Sequence, residues 1–144
     1  MRSFAIIIMV LFLAGPAAAE TVTVAVSKAE LRSQPSVGAS SIVETLTINT
    51  PLAVQKTEGR YLMVKDFKGN LGWIHETMVK KEQTVVVEND GVNVRQAPEK
   101  DAPVTFKAMR GEAFKVLDQS EDWLQIGDQQ GRTGWIWKSL TWGL

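Results

Sequence analysis

The chain has 144 residues, with 16 basic and 16 acidic side chains, one His and no Cys. Balanced charge gives no long-range pull toward nucleic acid or acidic lipid, and a chain without Cys is not a disulfide scaffold. One imidazole and no thiol leave a transition-metal site almost without ligands, so no metal and no cofactor are expected.

The first nineteen residues, MRSFAIIIMVLFLAGPAAA, set Arg2 before a continuous apolar run, 4–14, and end on the small residues Ala17 and Ala19. This pattern predicts a signal peptide, 1–19, cleaved before Glu20. The run is short of the about 20 apolar residues that span a bilayer, and no Cys follows it to carry lipid. The expected mature chain keeps 15 basic residues, without Arg2, against 16 acidic ones, a net charge of −1. It is expected in the periplasm or outside the cell, with no membrane contact after cleavage.

Beyond residue 20 the periodicity is that of strands. TVTVAV (21–26) and TVVV (84–87) are β-branched runs. PLAVQKT (51–57), YLMVKDF (61–67), EAFKVLD (112–118) and WLQIGD (123–128) alternate apolar and polar residues. Turn residues recur at Gly38, 58–59, 68–70, 90–91 and 129–131, and helix signals are nearly absent.

The chain also repeats itself. GNLGWIH (69–75) returns as GRTGWIW (131–137). Upstream, Tyr61 falls on Trp123, Leu62 on Leu124, Val64 on Ile126 and Asp66 on Asp128. Earlier still, LRSQP (31–35) falls on VRQAP (94–98), with the offset larger by one. Two units follow, 21–79 and 84–140, joined by the polar KKEQ at 80–83, which gives domains 20–80 and 81–144. Units of about 60 residues are near the lower limit for an unstapled core, so a packed pair is expected.

Strand alternation sorts the side chains. Leu124, Ile126, Ile136 and Ile74 belong to the core. Trp123, Tyr61, Trp135, Trp137, Trp73 and His75 then face away from it. The two glycines of each GxxGWI fit a tight turn and a close backbone approach.

The order VRxxP, WLxI, GxxGWI over about 60 residues resembles the bacterial SH3-like domain, and two tandem copies would fill 21–140. The second copy matches at Val94, Arg95, Pro98, Gly111, Trp123, Ile126, Gly131, Gly134, Trp135 and Ile136. The first departs at Tyr61, in place of Trp, and at Asn49, in place of Gly111, which points to a weaker or altered ligand surface there. The resemblance implies an all-β protein of two small β-barrels, each of five to six strands. It also implies a place outside the bacterial cytoplasm, where several such domains bind peptidoglycan or its stem peptides.

No enzyme is expected. His75 stands where the second unit has Trp137, and Glu121 and Asp122 are neighbours in a turn, not an acid–base pair. Asp66 and Asp128 read as Asx-turn anchors. Aromatics that face away from a core carry recognition. The candidate ligand-binding residues are therefore Trp123, Tyr61, Trp135, Trp73, Trp137 and Arg95. The simpler role for Trp73 and Trp135 is packing, and that of Arg95, like Arg32, is to hold loop carbonyls. Trp137 and Trp142 could instead line the contact between units. The expected partner is peptidoglycan, and the alternative is an adaptor role toward one envelope protein such as a sensor, transporter or wall hydrolase.

Overall fold

The computed structural model describes residues 20–38 and 40–144, so the expected signal peptide lies outside the described residues. The described chain is all-β. The first sheet holds β1 Thr21–Val24, β2 Lys28–Arg32, β3 Ile42–Thr47, β4 Pro51–Glu58, β5 Tyr61–Lys65, β6 Leu71–His75 and β7 Val79–Lys80. The second holds β8 Thr84–Val87, β9 Val92–Arg95, β10 Val104–Ala108, β11 Ala113–Ser120, β12 Trp123–Gly127, β13 Thr133–Trp137 and β14 Thr141–Trp142. The orders are β3-β2-β6-β5-β4-β1-β7 and β10-β9-β13-β12-β11-β8-β14, the same order twice, with every pairing antiparallel.

Each sheet has seven strands, where the resemblance implied five or six. The additional strand has a local cause. A single 3-10 turn, Glu76–Met78 or Lys138–Leu140, reverses the chain after the GxxGWI strand. Two residues then pair back onto the unit's first strand, Val79 with Val24 and Thr141 with Val87. The first unit therefore runs into β7 at Lys80, and only three residues, 81–83, separate it from β8.

Alternation fills the cores as the sequence predicts. Leu31, Leu52, Val64 and Ile74 are fully buried in the first unit. Val94, Phe114, Leu124, Ile126 and Ile136 are fully buried in the second. Burying each such side chain stabilises by about 1.5–3 kcal/mol, before the cost of ordering it. The paired glycines divide two tasks. Gly69 and Gly131 take φ of +87° and +81° in the turn before the strand. Gly72 and Gly134 lie against β2 and β9, where a Cβ would come within 2.4 Å of Leu31 Cγ or 2.6 Å of Val94 Cγ1.

Both predicted Asx turns form. Asp66 Oδ1 accepts from the backbone N–H of Lys68 and of Asn70, at 3.0 and 2.8 Å. Asp128 Oδ1 accepts from Gln130 N and Arg132 N, both at 3.0 Å, and its Oδ2 accepts from Arg132 Nε at 2.7 Å. Burial would raise the Asp128 pKa, but the Arg132 side chain and these backbone donors together outweigh it and lower it.

The two units touch along a polar seam. Thr23 Oγ1 donates to Glu82 O at 2.8 Å, which uses its one proton. Thr84 Oγ1, 2.8 Å away, must then donate to Thr23. Both threonines are buried, so the exchange satisfies two hydroxyls that water does not reach. Arg110 lies over the Phe67 ring at 5.1 Å, and Glu82 holds Lys80 and Lys115 at 2.6 and 3.3 Å. A Cβ on Gly143 would fall 2.5 Å from Thr84 O and 2.9 Å from Pro51 Cγ, so the end of the second unit presses on the first.

Candidate ligand grooves

The face opposite each core carries a groove, and the two grooves are built from equivalent positions. In the second unit, β12 and β13 pair with Trp123 opposite Trp137. Cross-strand partners share a face, so the indoles meet edge to face with centroids 5.1 Å apart at 80°. They wall a groove of about 540 Å³. Val92 and Leu140 line its apolar part, and Asp90, Asn93, Arg95 and Lys100 supply its polar groups.

In the first unit the same register sets Tyr61 opposite His75, with centroids 5.1 Å apart at 89°. Their groove measures about 460 Å³ and is lined by Lys28, Glu30, Arg32, Val37, Trp73 and Met78, among others. His75 Nδ1 accepts from Thr77 N at 3.3 Å and lies 2.7 Å from Thr77 Oγ1. The ring thereby caps the 3-10 turn, a positional task that differs from that of Trp137, which is 39% exposed.

Of the six predicted residues, Trp123, Trp137 and Arg95 line the second groove, and Tyr61 and Trp73 line the first. Trp135 lines neither; it is half-buried on β13, with Gln125 on one side and Arg95 on the other. Trp73 is more enclosed than alternation implied. It lies outside the core cluster yet is only 9% exposed, and Lys56 Nζ sits 5.4 Å from its ring centre. Period-two logic gives direction and not cover, so a long lysine from β4 was not visible to it. Trp137 belongs to the groove wall, while Trp142 pairs with Val86 in β14.

Arg95 Nη1 donates to Ala102 O at 2.8 Å, pinning the loop between β9 and β10. Arg32 is held otherwise: Nη2 meets Glu30 Oε2 at 2.5 Å, and Nη1 reaches Ser40 Oγ at 3.4 Å. The sequence reading missed Asn93, Lys100, Val92 and Leu140 as groove residues. Asn93 had a usable signal, since it precedes Arg95 by two on one strand and so shares its face. Among the described residues, no group of three or more His, Asp or Glu could hold a metal ion.

Comparison with known proteins agrees with this architecture at its second unit. Residues 90–141 match the model of the bacterial SH3 domain. Bacillus subtilis (strain 168) YrvJ, named as an N-acetylmuramoyl-L-alanine amidase, is 33% identical over 51 residues. That stretch is 35% of this chain and only 10% of the relative, so this chain spans about a tenth of that length. Among solved structures, NlpC2 from Trichomonas vaginalis is 11% identical, with a TM-score of 0.39 over 88% of this chain and 49% of that one. The endolysin LysPBC5 CBD is 15% identical, with a TM-score of 0.34 over 88% and 95%. The second unit thus matches the bacterial SH3 domain model over residues 90–141, and its strand order is repeated in full by the first.

Proposed function

We propose that the chain is a non-catalytic binding module of the cell envelope that recognises peptidoglycan, through its stem peptides, in the second groove. The division into domains 20–80 and 81–144 and an exported location belong to the same reading. One observation carries it: the Trp123–Trp137 wall stands open beside Arg95, whose guanidinium pairs with no carboxylate among the described residues. Edge-to-face indoles offer a large, rigid apolar surface, and an unneutralised guanidinium offers paired donors to an anionic group. Stem peptides combine short apolar side chains with carboxylates, so their chemistry fits both. The YrvJ relative, named for its N-acetylmuramoyl-L-alanine substrate, supports a wall setting.

The test is co-sedimentation of residues 20–144 with purified sacculi across a salt series. Retention at about 0.5 M salt, where exposed charge attraction is largely screened, is the expected result. Loss of all retention at that salt, together with one stoichiometric protein captured from envelope extract, would replace wall binding by the adaptor role.

A further inference from the structure

We propose that the second groove receives the carboxylate end of a peptide, and that the first groove has filled its equivalent receptor with its own Glu30. This rests on the binding-module reading above and names the ligand group within that site.

One pair of positions in each unit differs in charge. Glu30 and Arg32 stand two apart on β2, and Asn93 and Arg95 stand two apart on β9. Side chains two apart on a strand share a face, so each pair presents itself to its own groove. All four residues line the grooves. In the first unit the carboxylate of Glu30 sits on the Arg32 fork at 2.5 Å, and Ser40 Oγ lies near its other arm. The guanidinium is neutralised from within, and a ligand carboxylate would have to displace Glu30.

In the second unit Asn93 takes the place of Glu30 and brings no charge. Arg95 gives one arm to Ala102 O and retains its remaining N–H donors. Lys100 adds a second cation at the same groove, and the one carboxylate there, Asp90, accepts from the backbone N–H of Arg110 at 3.0 Å. The carboxamide oxygen of Asn93 is buried and has no hydrogen-bond partner among the described residues. An orphaned acceptor beside an unneutralised guanidinium calls for a ligand that donates an N–H and carries a carboxylate. The last residue of a peptide carries both, on either side of one Cα, and the Trp123–Trp137 wall provides apolar cover for its side chain.

The probes are N-acetyl-dialanine as the free acid, its C-terminal amide, and acetate, titrated at millimolar concentration into residues 20–144. The readout is the indole N–H resonances. We expect the acid to shift Trp123 and Trp137 and to bind about ten- to a hundredfold more tightly than the amide, the range for hydrogen bonds to a charged group. Acetate should bind more weakly than the acid, since it lacks the N–H and the apolar side chain. Arg95→Gln should erase the preference. Glu30→Asn should give the first unit a preference for the acid that it otherwise lacks, read at the Trp73 indole. This second variant leaves the Arg95 loop anchor untouched. Equal binding of acid and amide, acetate as strong as the peptide, no response at Trp123 and Trp137, or a silent first groove in Glu30→Asn would each overturn the proposal. Sacculus retention through Trp123 without an acid preference would sink this inference alone. An acid preference without sacculus retention would sink the wall reading alone.

Discussion

The two units share their strand order and the geometry of their cross-strand aromatic pair, but differ in what stands on that scaffold. Trp123 and Trp137 in the second unit become Tyr61 and His75 in the first, Phe114 becomes Leu52, Asn93 becomes Glu30, and Gly111 becomes Asn49. The inward-facing substitution changes size. The groove substitutions change chemistry: an apolar wall acquires a ring that caps a turn, and an arginine without a carboxylate partner acquires an internal anion. A duplicated fold can thus leave one arginine open while its equivalent is neutralised from within.

The largest effect expected is on the cores. Phe114→Ala should cost about 3–5 kcal/mol in urea unfolding followed by tryptophan fluorescence. Four of the five tryptophans lie in the last 22 residues, so that signal reports the second unit. Loss of the first unit at the same urea concentration would show that the Thr23–Thr84 seam makes the pair unfold as one. Gly134→Ala comes next, at about 1–3 kcal/mol, because the added Cβ meets Val94 Cγ1 at 2.6 Å and the Arg95 carbonyl oxygen at 2.9 Å. Gly72→Ala should cost a similar amount, since its Cβ would meet Leu31 Cγ at 2.4 Å and the Arg32 carbonyl oxygen at 3.0 Å. Thermal melts of both variants would rank them.

A smaller change of opposite sign is expected at Asn49. It holds φ of +70°, is 2% exposed and has no partner for its carboxamide oxygen among the described residues, where the second unit has Gly111 at φ of +92°. Asn49→Gly should stabilise the first unit by about 1 kcal/mol, from relief of the orphaned oxygen and of the left-handed backbone. A destabilisation would mean that the amide serves the seam in a way the contacts omit. The smallest effect is on acid stability. The Asp128 pKa lies below its ordinary value of 3.8 in the folded chain. A depressed folded pKa gives stability that is present above the unfolded value and lost as pH falls through the folded one. Unfolding of the wild type should therefore ease on acidification below about pH 4, the ordinary Asp range, and Asp128→Asn should flatten that dependence.

Much of the fold was legible because period-two alternation and an internal repeat report the same thing twice. Leu124, Ile126 and Ile136 read as inward and are inward; Asp66 and Asp128 read as turn anchors and accept the turn amides. The sites were legible only in outline. Alternation gives Trp73 and Trp135 the same direction, but cover is decided by neighbours distant in sequence, such as Lys56 at the Trp73 ring. The seam was invisible for a similar reason. Thr23 and Thr84 are ordinary β-branched residues until the short link brings their hydroxyls together. The departure at Asn49 read as a ligand-surface change, whereas its buried side chain and left-handed backbone make it a matter of conformation.

The most direct measurement is sacculus co-sedimentation at high salt, with Trp123→Ala and Tyr61→Ala compared as folded proteins of matched melting behaviour. Trp123→Ala should abolish most retention, and Tyr61→Ala should leave it near the wild-type level. Equal loss in both variants would contradict the division between a recognising and a self-satisfied unit. Full retention in Trp123→Ala would remove the second groove as the site.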